Sequence, residues 1–590
     1  MSSGTTQEAT WFGHPRQLAL LFSTELFERF GYYGMRAILT LYLAKWFLFS
    51  DSVTQGLYGA FTSLVYLTPL FGGLLADRYL GSKRSVKFGA ILMAIGYFGL
   101  CFGGKQAEPK MELDGKRYSV QVPAKTETDK RQIVDLEGKK FRIAGQEDGS
   151  VKLIAVVEGE AERTLAKGSF KFDGQRDPFW VNILFLSLAC VIVGNGFFKP
   201  NISTIVGTLY PKGDGRRDAG FTIFYMGINL GSLISQFLCP LLAEYAWWAG
   251  FLLAAFGMCT SYCLFQFDGG RLAGYGEPPG GKPTMTIPIY LGAILSVPLV
   301  WFLMHNMMVS AEAAHAAAKE GSGVIQYLAS LPLLGKALFA VFLVAVIGIP
   351  AWAVLNGSRE EAQKMIVAVV LVVFSVVFWT LFEQAGSSLT LYADRNTNKV
   401  INLGFWEYDM PSGQIQIFNA LFIVMFAPVF SWIWVVLAKR NLEPSTPVKF
   451  AYALALVGVG FLVLVFGAKF ADSNFQVGLF WLALAYLIHS IGELCLSPVG
   501  LSMITKLSIP KVVGLMMGVW FLSSSMAQYV GGVVAQFASV ETVAGEVTNP
   551  KLSLDTYVGV FNFIGWASIG FGVLLFAMSP LLKKMMHDVR

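Results

Sequence analysis

The residues best equipped for chemistry sit in apolar surroundings. Inside the first long apolar stretch, the run TELFERFGYYGMRA holds Glu25, Glu28, Arg29, Tyr32, Tyr33 and Arg36. Arg29, Tyr32, Tyr33 and Arg36 recur at i, i+3, i+4 and i+7, which sets them on one helical face, and Glu25 is an i, i+4 neighbour of Arg29. An ionisable group inside a bilayer costs several kcal/mol and is a functional candidate by default. A lone Glu–Arg pair can be a structural tie, but four charges within one span are hard to account for that way. Lys199 in GNGFFKPN, Glu383 in FWTLFEQAGSS and Glu493 in IGELCLSPVG lie in other apolar runs. Lys199 is near enough to the end of its run to snorkel to the interface, and His489, one turn before Glu493, reads as a packed helix residue. The amino half thus contributes cations (Arg29, Arg36, Lys199) and the carboxyl half two anions (Glu383, Glu493). A site so charged suits a zwitterion, with cations for a carboxylate and an anion for an ammonium. Tyr32, Tyr33, Tyr66, Trp432 and Trp520 are candidate lining residues. Glu25, Glu28 and Glu383 are candidates to take up and release a proton, because burial and a neighbouring cation push a carboxyl group in opposite directions. Gly386, Gly492, Pro498 and Gly500 permit bends beside the two later carboxylates.

The elements that must carry these groups follow from composition. Of 590 residues, 54% are hydrophobic and only 14% charged, against about 25% charged in soluble domains, which argues against an ordinary soluble enzyme. The charge is also unevenly placed: Lys105 to Asp177 holds 29 of the 84 charged residues. The sequence therefore reads as an all-α polytopic membrane protein with one polar insertion, since only closed backbone structures span hydrocarbon. The cations fall in short loops, with no basic face that would suit nucleic acid. Cys101, Cys190, Cys239, Cys259, Cys263 and Cys495 all lie in apolar stretches and read as small core residues. No metal-ligand spacing and no GxxxxGK[ST] motif is present, so neither a metal nor an ATP site is expected, and the polar opening residues do not resemble a signal peptide.

Runs of about 20 apolar residues, enough to cross ~30 Å of hydrocarbon, number fourteen, from Gln17–Trp46 to Tyr557–Leu582. With the N-terminus inside, the inner loops hold 20 Lys and Arg and the outer loops 7, the insertion aside, which places both termini in the cytoplasm and the insertion outside. Setting Ile287–His305 and Leu331–Leu355 aside as a hairpin leaves six spans on each side, the two-halves plan of the major facilitator superfamily. The expected domains are 1–104 with 178–267, a six-helix bundle; 105–177, the insertion; 268–358, a linker with two extra helices; and 359–590, a second six-helix bundle. In the insertion, Arg117–Val122, Lys140–Ile143 and Val151–Val157 alternate or are β-branched and are bounded by DG, EG and GS pairs, which predicts short strands and turns.

These residues carry a resemblance. Glu25-x-x-Glu28-Arg29-Phe30-x-Tyr32-Tyr33-Gly34 matches in full the first-helix signature of the proton-dependent oligopeptide transporter (POT) family. GGLLADRYLGSKR (72–84) resembles its second-to-third-helix signature, and FYMGINLGSLI (224–234) its fifth-helix signature. GFFKPN, FEQAGSS, GELCLSPVGLSMITKL and MGVWFLSSS are similar to further family segments, in the family's order and in both halves. The resemblance implies a symporter importing di- and tripeptides by alternating access, with the proton as its only coupling ion and no cofactor, acting as a monomer in a bacterial inner membrane. It implies a proton-coupling network of Glu25, Glu28, Arg29 and Lys199, and a gating pair of Arg36 and Glu383. It further implies that Glu493 takes the peptide amino terminus and Arg36 and Lys199 its carboxylate. Asn229 and Asn419 would meet the peptide backbone, and Tyr33, Tyr66, Trp520 and Ser524 would shape side-chain pockets. Two departures stand out: the second span holds no His, unlike animal members, so coupling must rest on carboxylates, and the insertion is outside the common pattern.

Two other readings compete. One is a relative specialised for nitrate or another small anion or conjugate, against which the complete ExxER run and Glu493 argue. The other is a membrane receptor or enzyme working through the insertion, for which no nucleophile–base or metal constellation speaks.

Overall fold

The computed structural model describes residues 10–590 except 124–130, 158–160, 212, 281–284, 320–323, 498–499, 588 and 590. Pro498, Lys212, Lys282 and Arg590, which entered the reading of bends and loop charges, lie outside the described residues.

The chain is mostly helical. After a two-residue pair of strands, β1 (Thr10–Trp11) and β2 (His14–Pro15), come α1 (Gln17–Lys45), α2 (Asp51–Leu75) and α3 (Ser82–Leu100). Seven strands follow, then α4 (Pro178–Thr208), α5 (Arg217–Tyr245), α6 (Trp247–Gln266), α7 (Thr286–Lys319), α8 (Val324–Ser330) and α9 (Leu333–Asn356). The remainder is α10 (Arg359–Phe382), α11 (Ser388–Asn396), α12 (Ile417–Lys439), α13 (Thr446–Gly467), α14 (Leu479–Leu496), α15 (Gly500–Leu507), α16 (Val513–Gln536) and α17 (Pro550–Met585). Among the described residues, twelve helical segments are long and apolar enough to cross a membrane. α1 and α3 are not among them although they are as long, because every eighteen-residue window of either holds at least three charged residues.

Boundaries follow local chemistry. α10 starts on a capping box: the Ser358 hydroxyl accepts from the Glu361 amide at 3.2 Å, and the Glu361 carboxylate accepts from the Ser358 amide at 2.8 Å. α17 starts behind Asn549, whose side chain accepts from the Leu552 amide, with Pro550 in the first turn. α7 runs well past the expected end at His305, because AEAAHAAAK is rich in the strongest helix formers. The span expected as Met365–Tyr392 is interrupted: a tight 3-10 turn at Glu383–Gly386 separates α10 from α11. The cysteines correct the expectation of six core residues, since Cys239 and Cys495 are buried whereas Cys263 is exposed.

Between α3 and α4 the strands β3 (Glu108–Leu113), β4 (Lys116–Gln121), β5 (Ile133–Leu136), β6 (Lys139–Gly145), β7 (Val151–Ala155), β8 (Arg163–Leu165) and β9 (Phe170–Gln175) form an antiparallel sheet. Its order is β8-β7-β6-β5-β4-β3-β9, a meander whose last strand returns to pair with the first, Met111 lying opposite both Tyr118 and Phe172. The period-2 pattern sends Val134, Leu136, Phe141, Ile143, Val151 and Leu153 to one side, where they form a core with Met111, Val120 and Phe170.

Two compact units divide the chain. One comprises 1–38, 64–102 and 183–302; the other comprises 39–63, 103–182 and 303–590. The boundary passes through α1 and α2, so the C-terminal end of α1 and the N-terminal half of α2 belong to the second unit. There α2 meets α16 at very close range. A Cβ placed on Gly59 would lie 2.8 Å from the Cα of Gly532, so the two glycines are what lets these backbones touch.

Candidate functional site

In the first unit, α1 and α4 assemble a charge cluster. Arg29 Nε is paired with Glu28 Oε2 and lies 3.2 Å from Glu25 Oε1. Its Nη2 reaches Asn195 Oδ1 at 3.5 Å, and Asn195 in turn donates to the Val65 carbonyl at 3.0 Å. The guanidinium carbon is 5.4 Å from the Tyr32 ring centroid. Glu25, Glu28 and Arg29 are each at most 2% exposed. Helical spacing explains the contacts within α1; Asn195, one turn before Lys199, was not singled out in the sequence because an Asn in an apolar run carries no charge signal. Lys199 Nζ lies 4.4 Å from the Tyr66 ring centroid, and Arg36 Cζ 6.0 Å from that of Tyr33, both cation–π arrangements.

One guanidinium bonds to two buried carboxylates, and the Lys199 ammonium of α4 acts on both of them. Glu25 Oε2 and Glu28 Oε1 are buried without a hydrogen-bond partner among the described residues. Buried polar atoms are nearly always satisfied, and a proton on one carboxylate would supply the missing donor.

The second unit holds the remaining candidates. Glu493 on α14 is 9% exposed and accepts from Asn419 Nδ2 of α12 at 3.1 Å. The same amide donates to Ser490 Oγ at 3.0 Å, so Asn419 holds the carboxylate and a hydroxyl together. His489 is spent on structure, its Nε2 lying 3.0 Å from the Val457 carbonyl with its ring packed on Phe461. Glu383 opens the 3-10 turn and is 8% exposed. The turn is braced from behind: Gln384 Nε2 donates to the Thr380 and Gly531 carbonyls at 3.0 and 2.9 Å, and Ser388 Oγ donates to Gln384 Oε1. Trp520 lays its indole over Gly500, where any side chain would clash, and Ser524 Oγ donates to the Trp520 carbonyl. Asn229 bonds one turn back to the Tyr225 carbonyl of its own helix, and Trp432 is 65% exposed.

A second charged cluster was entirely missed. Arg395 of α11 grips Asp51, the first residue of α2, with both terminal nitrogens at 2.6 and 2.7 Å, and both residues are buried. Asp51 Oδ2 also accepts from the Val540 amide, and Arg395 Nη1 reaches the Tyr557 hydroxyl. Nearby, Lys45 Nζ at the end of α1 lies 2.8 Å from Asp394 and 3.4 Å from Glu546, and Thr40 Oγ1 donates to the Gly386 carbonyl at 2.6 Å. Lys45 and Arg395 carry no local sign of these pairings, which join residues 349 and 344 positions apart. Among the described residues no group of three or more His, Cys, Asp or Glu is placed to hold a metal ion.

Known proteins are similar to this chain in sequence and fold. The family model PTR2, described as the POT family, matches residues 83–550. The chain is 30% identical to dipeptide and tripeptide permease A of Escherichia coli (strain K12), over 98% of this chain and 94% of that protein. It is 30% identical to the peptide transporter YePEPT of Yersinia enterocolitica, over 90% of each. A crystal structure of peptide transporter POT in complex with sulfate superposes with a TM-score of 0.71 at 29% identity, covering 98% of this chain and 97% of the other.

Proposed function

Since this chain belongs to the POT family, we propose that it is a proton-coupled symporter that imports di- and tripeptides by alternating access. It is a carrier and not an enzyme. The observation that carries the coupling is the buried Glu25–Arg29–Glu28 cluster, in which Arg29 bonds to two carboxylates and an oxygen of each has no hydrogen-bond partner among the described residues.

The proposed mechanism follows from those charges. With both carboxylates ionised, Arg29 is held by them. A proton on Glu28 weakens that hold and frees guanidinium charge for a peptide carboxylate, which Arg36 and Lys199 also attract. Glu493, held by Asn419, receives the peptide ammonium. A pair of Arg36 and Glu383 gates the path, and the braced 3-10 turn after Glu383 supports that role by fixing the backbone on which its carboxylate sits. Glu25, Tyr33, Tyr66, Asn229, Trp520 and Ser524 complete the network and the side-chain pockets. Because the charged groups address the two ends, many side chains fit, while length is limited at ~3.3–3.6 Å per residue. The membrane potential adds ~2.3 kcal/mol per charge per 100 mV to import.

The architecture proposed with this activity has fourteen spans: bundles 1–104 with 178–267 and 359–590, a two-helix linker 268–358, and the β-rich insertion 105–177 outside. Both termini are in the cytoplasm of a bacterial inner membrane, in line with the loop-charge excess, and the protein acts as a monomer.

The test is uptake of labelled dialanine into proteoliposomes with and without an inward acid gradient. Accumulation above the external concentration is expected only with the gradient; folded protein that takes up no dialanine under either condition overturns the reading.

A further inference from the structure

The sheet between α3 and α4 has a core it does not complete by itself. Nine of its ten buried residues come from its own strands; the tenth is Val543, 1% exposed, from the hairpin Thr542–Val547 that joins α16 to α17. The same hairpin is tied by polar contacts. Gln132 Nε2 donates to the Val543 carbonyl at 3.3 Å, the Gly145 amide to the Thr548 carbonyl at 3.2 Å, and Asn549 Nδ2 to the Gly145 carbonyl at 3.3 Å. Lys551 and Glu147 pair at 2.6 Å on the surface.

The β3–β9 flank of the sheet holds the α1–α2 turn by its backbone. Arg176 donates to the Phe47 and Leu48 carbonyls at 2.9 and 3.2 Å, the Ala107 amide to the Trp46 carbonyl at 2.9 Å, and Gln106 Nε2 to the Lys45 carbonyl at 2.8 Å. Glu312 of α7 joins this flank, 2.8 Å from Lys171 and accepting from Ser50 at 2.9 Å. Between the two attachments lies a cavity of about 170 Å³ lined by Leu48, Ser50, Lys171, Asp173, Val543 and Gly545. That is room for several waters; beside it the two segments also meet directly, Lys45 pairing with Glu546 at 3.4 Å and Asp51 Oδ2 accepting from the Val540 amide at 3.0 Å.

We propose that the insertion is a strap that ties the α1–α2 turn to the α16–α17 hairpin, and that each transport cycle requires Val543 to leave the strand core. The proposal rests on the alternating-access reading above. Its weaker side is the hairpin, held by one apolar side chain and a few polar contacts, whereas the α1–α2 turn is held by four backbone carbonyls. Release exposes one valine and leaves the other nine core residues together, so the strap opens without unfolding.

Two measurements test it. A Cβ on Gly145 would lie 3.0 Å from the Thr548 Cβ, slightly inside the spacing of a disulfide, so Gly145→Cys with Thr548→Cys can lock the hairpin to the sheet. The oxidised double variant is expected to lose more than nine tenths of dialanine uptake and to regain it on reduction; fully cross-linked protein that transports at the reduced rate overturns the strap. Independently of transport, Ser63 and Ser525 form a buried hydroxyl pair at 2.8 Å where α2 meets α16. In a Cys263→Ser background, Ser525→Cys should react several-fold faster with an external membrane-impermeant maleimide when Val543→Ser is added. An unchanged labelling rate overturns the strap even if wild-type uptake stands. Faster labelling in a protein that imports no dialanine keeps the strap and removes the symport reading.

Discussion

Two buried charge clusters of this chain differ in arithmetic and in partners. At Asp51–Arg395 one carboxylate meets one guanidinium through two parallel hydrogen bonds, and both its oxygens are satisfied. At Glu25–Glu28–Arg29 two carboxylates share one guanidinium, with Lys199 acting on both, and among the described residues one oxygen of each has no hydrogen bond. A balanced pair is a latch, because either charge alone would be stranded in a low dielectric. A cluster with carboxylate oxygens left unsatisfied is a switch, because one proton changes how firmly Arg29 is held. Burial and residue types are nearly the same in both; whether every carboxylate oxygen is satisfied separates them.

The comparison can be broken in descending order of effect. Glu28→Gln removes a proton-accepting carboxylate from the first cluster, so concentrative uptake of dialanine should be abolished while counterflow between equal peptide pools persists. Gradient-driven accumulation in that variant would return the cluster to the class of latches. Asp51→Asn or Arg395→Ala should each cost about 3–5 kcal/mol of stability, the usual penalty for stranding one member of a buried pair. Thermal unfolding in detergent would read this, and Asp51→Ala with Arg395→Ala together should cost less than the sum of the two Ala variants; strict additivity would deny the latch. Glu493→Gln removes a charge-assisted bond worth roughly 1.5–3 kcal/mol, so half-saturation should rise about ten- to hundredfold for peptides with a free amine. Equal losses for N-acetylated peptides would show that Glu493 does not read the amine. Smallest of all, Lys116→Ala breaks the exposed pair with Glu137 in the insertion. That should change stability by less than about 1 kcal/mol and leave dialanine uptake unaltered, which marks the floor against which the buried clusters are judged.

Legibility in the sequence followed distance along the chain. Glu25, Arg29 and the aromatic stripe of α1 were readable because helical spacing places them, and the strands of the insertion were readable from period-2 alternation and their turn pairs. Glu493 was visible as a charge in an apolar run, yet its partners Asn419 and Ser490 had to come from the fold, since neutral polar residues are common in such runs. The overlong α7 and the break after Phe382 were missed because hydropathy marks what can be buried and says little about where a helix continues or tightens. Asp51, Arg395 and Val543 were invisible for a stronger reason: their partners lie hundreds of residues away along the chain.

What the sequence determined by itself is what depends on short-range chemistry: apolar helices, charges confined to one face, caps, and strand alternation. Only the tertiary structure decided which of those charges balance. The Asp51–Arg395 latch and the insertion of Val543 into the core of a sheet some 370 residues earlier are both such pairings. The reason is physical: a hydrogen bond or a packed methyl group needs a partner within a few ångströms, and proximity across hundreds of residues is set by how the helices pack, which no local pattern encodes.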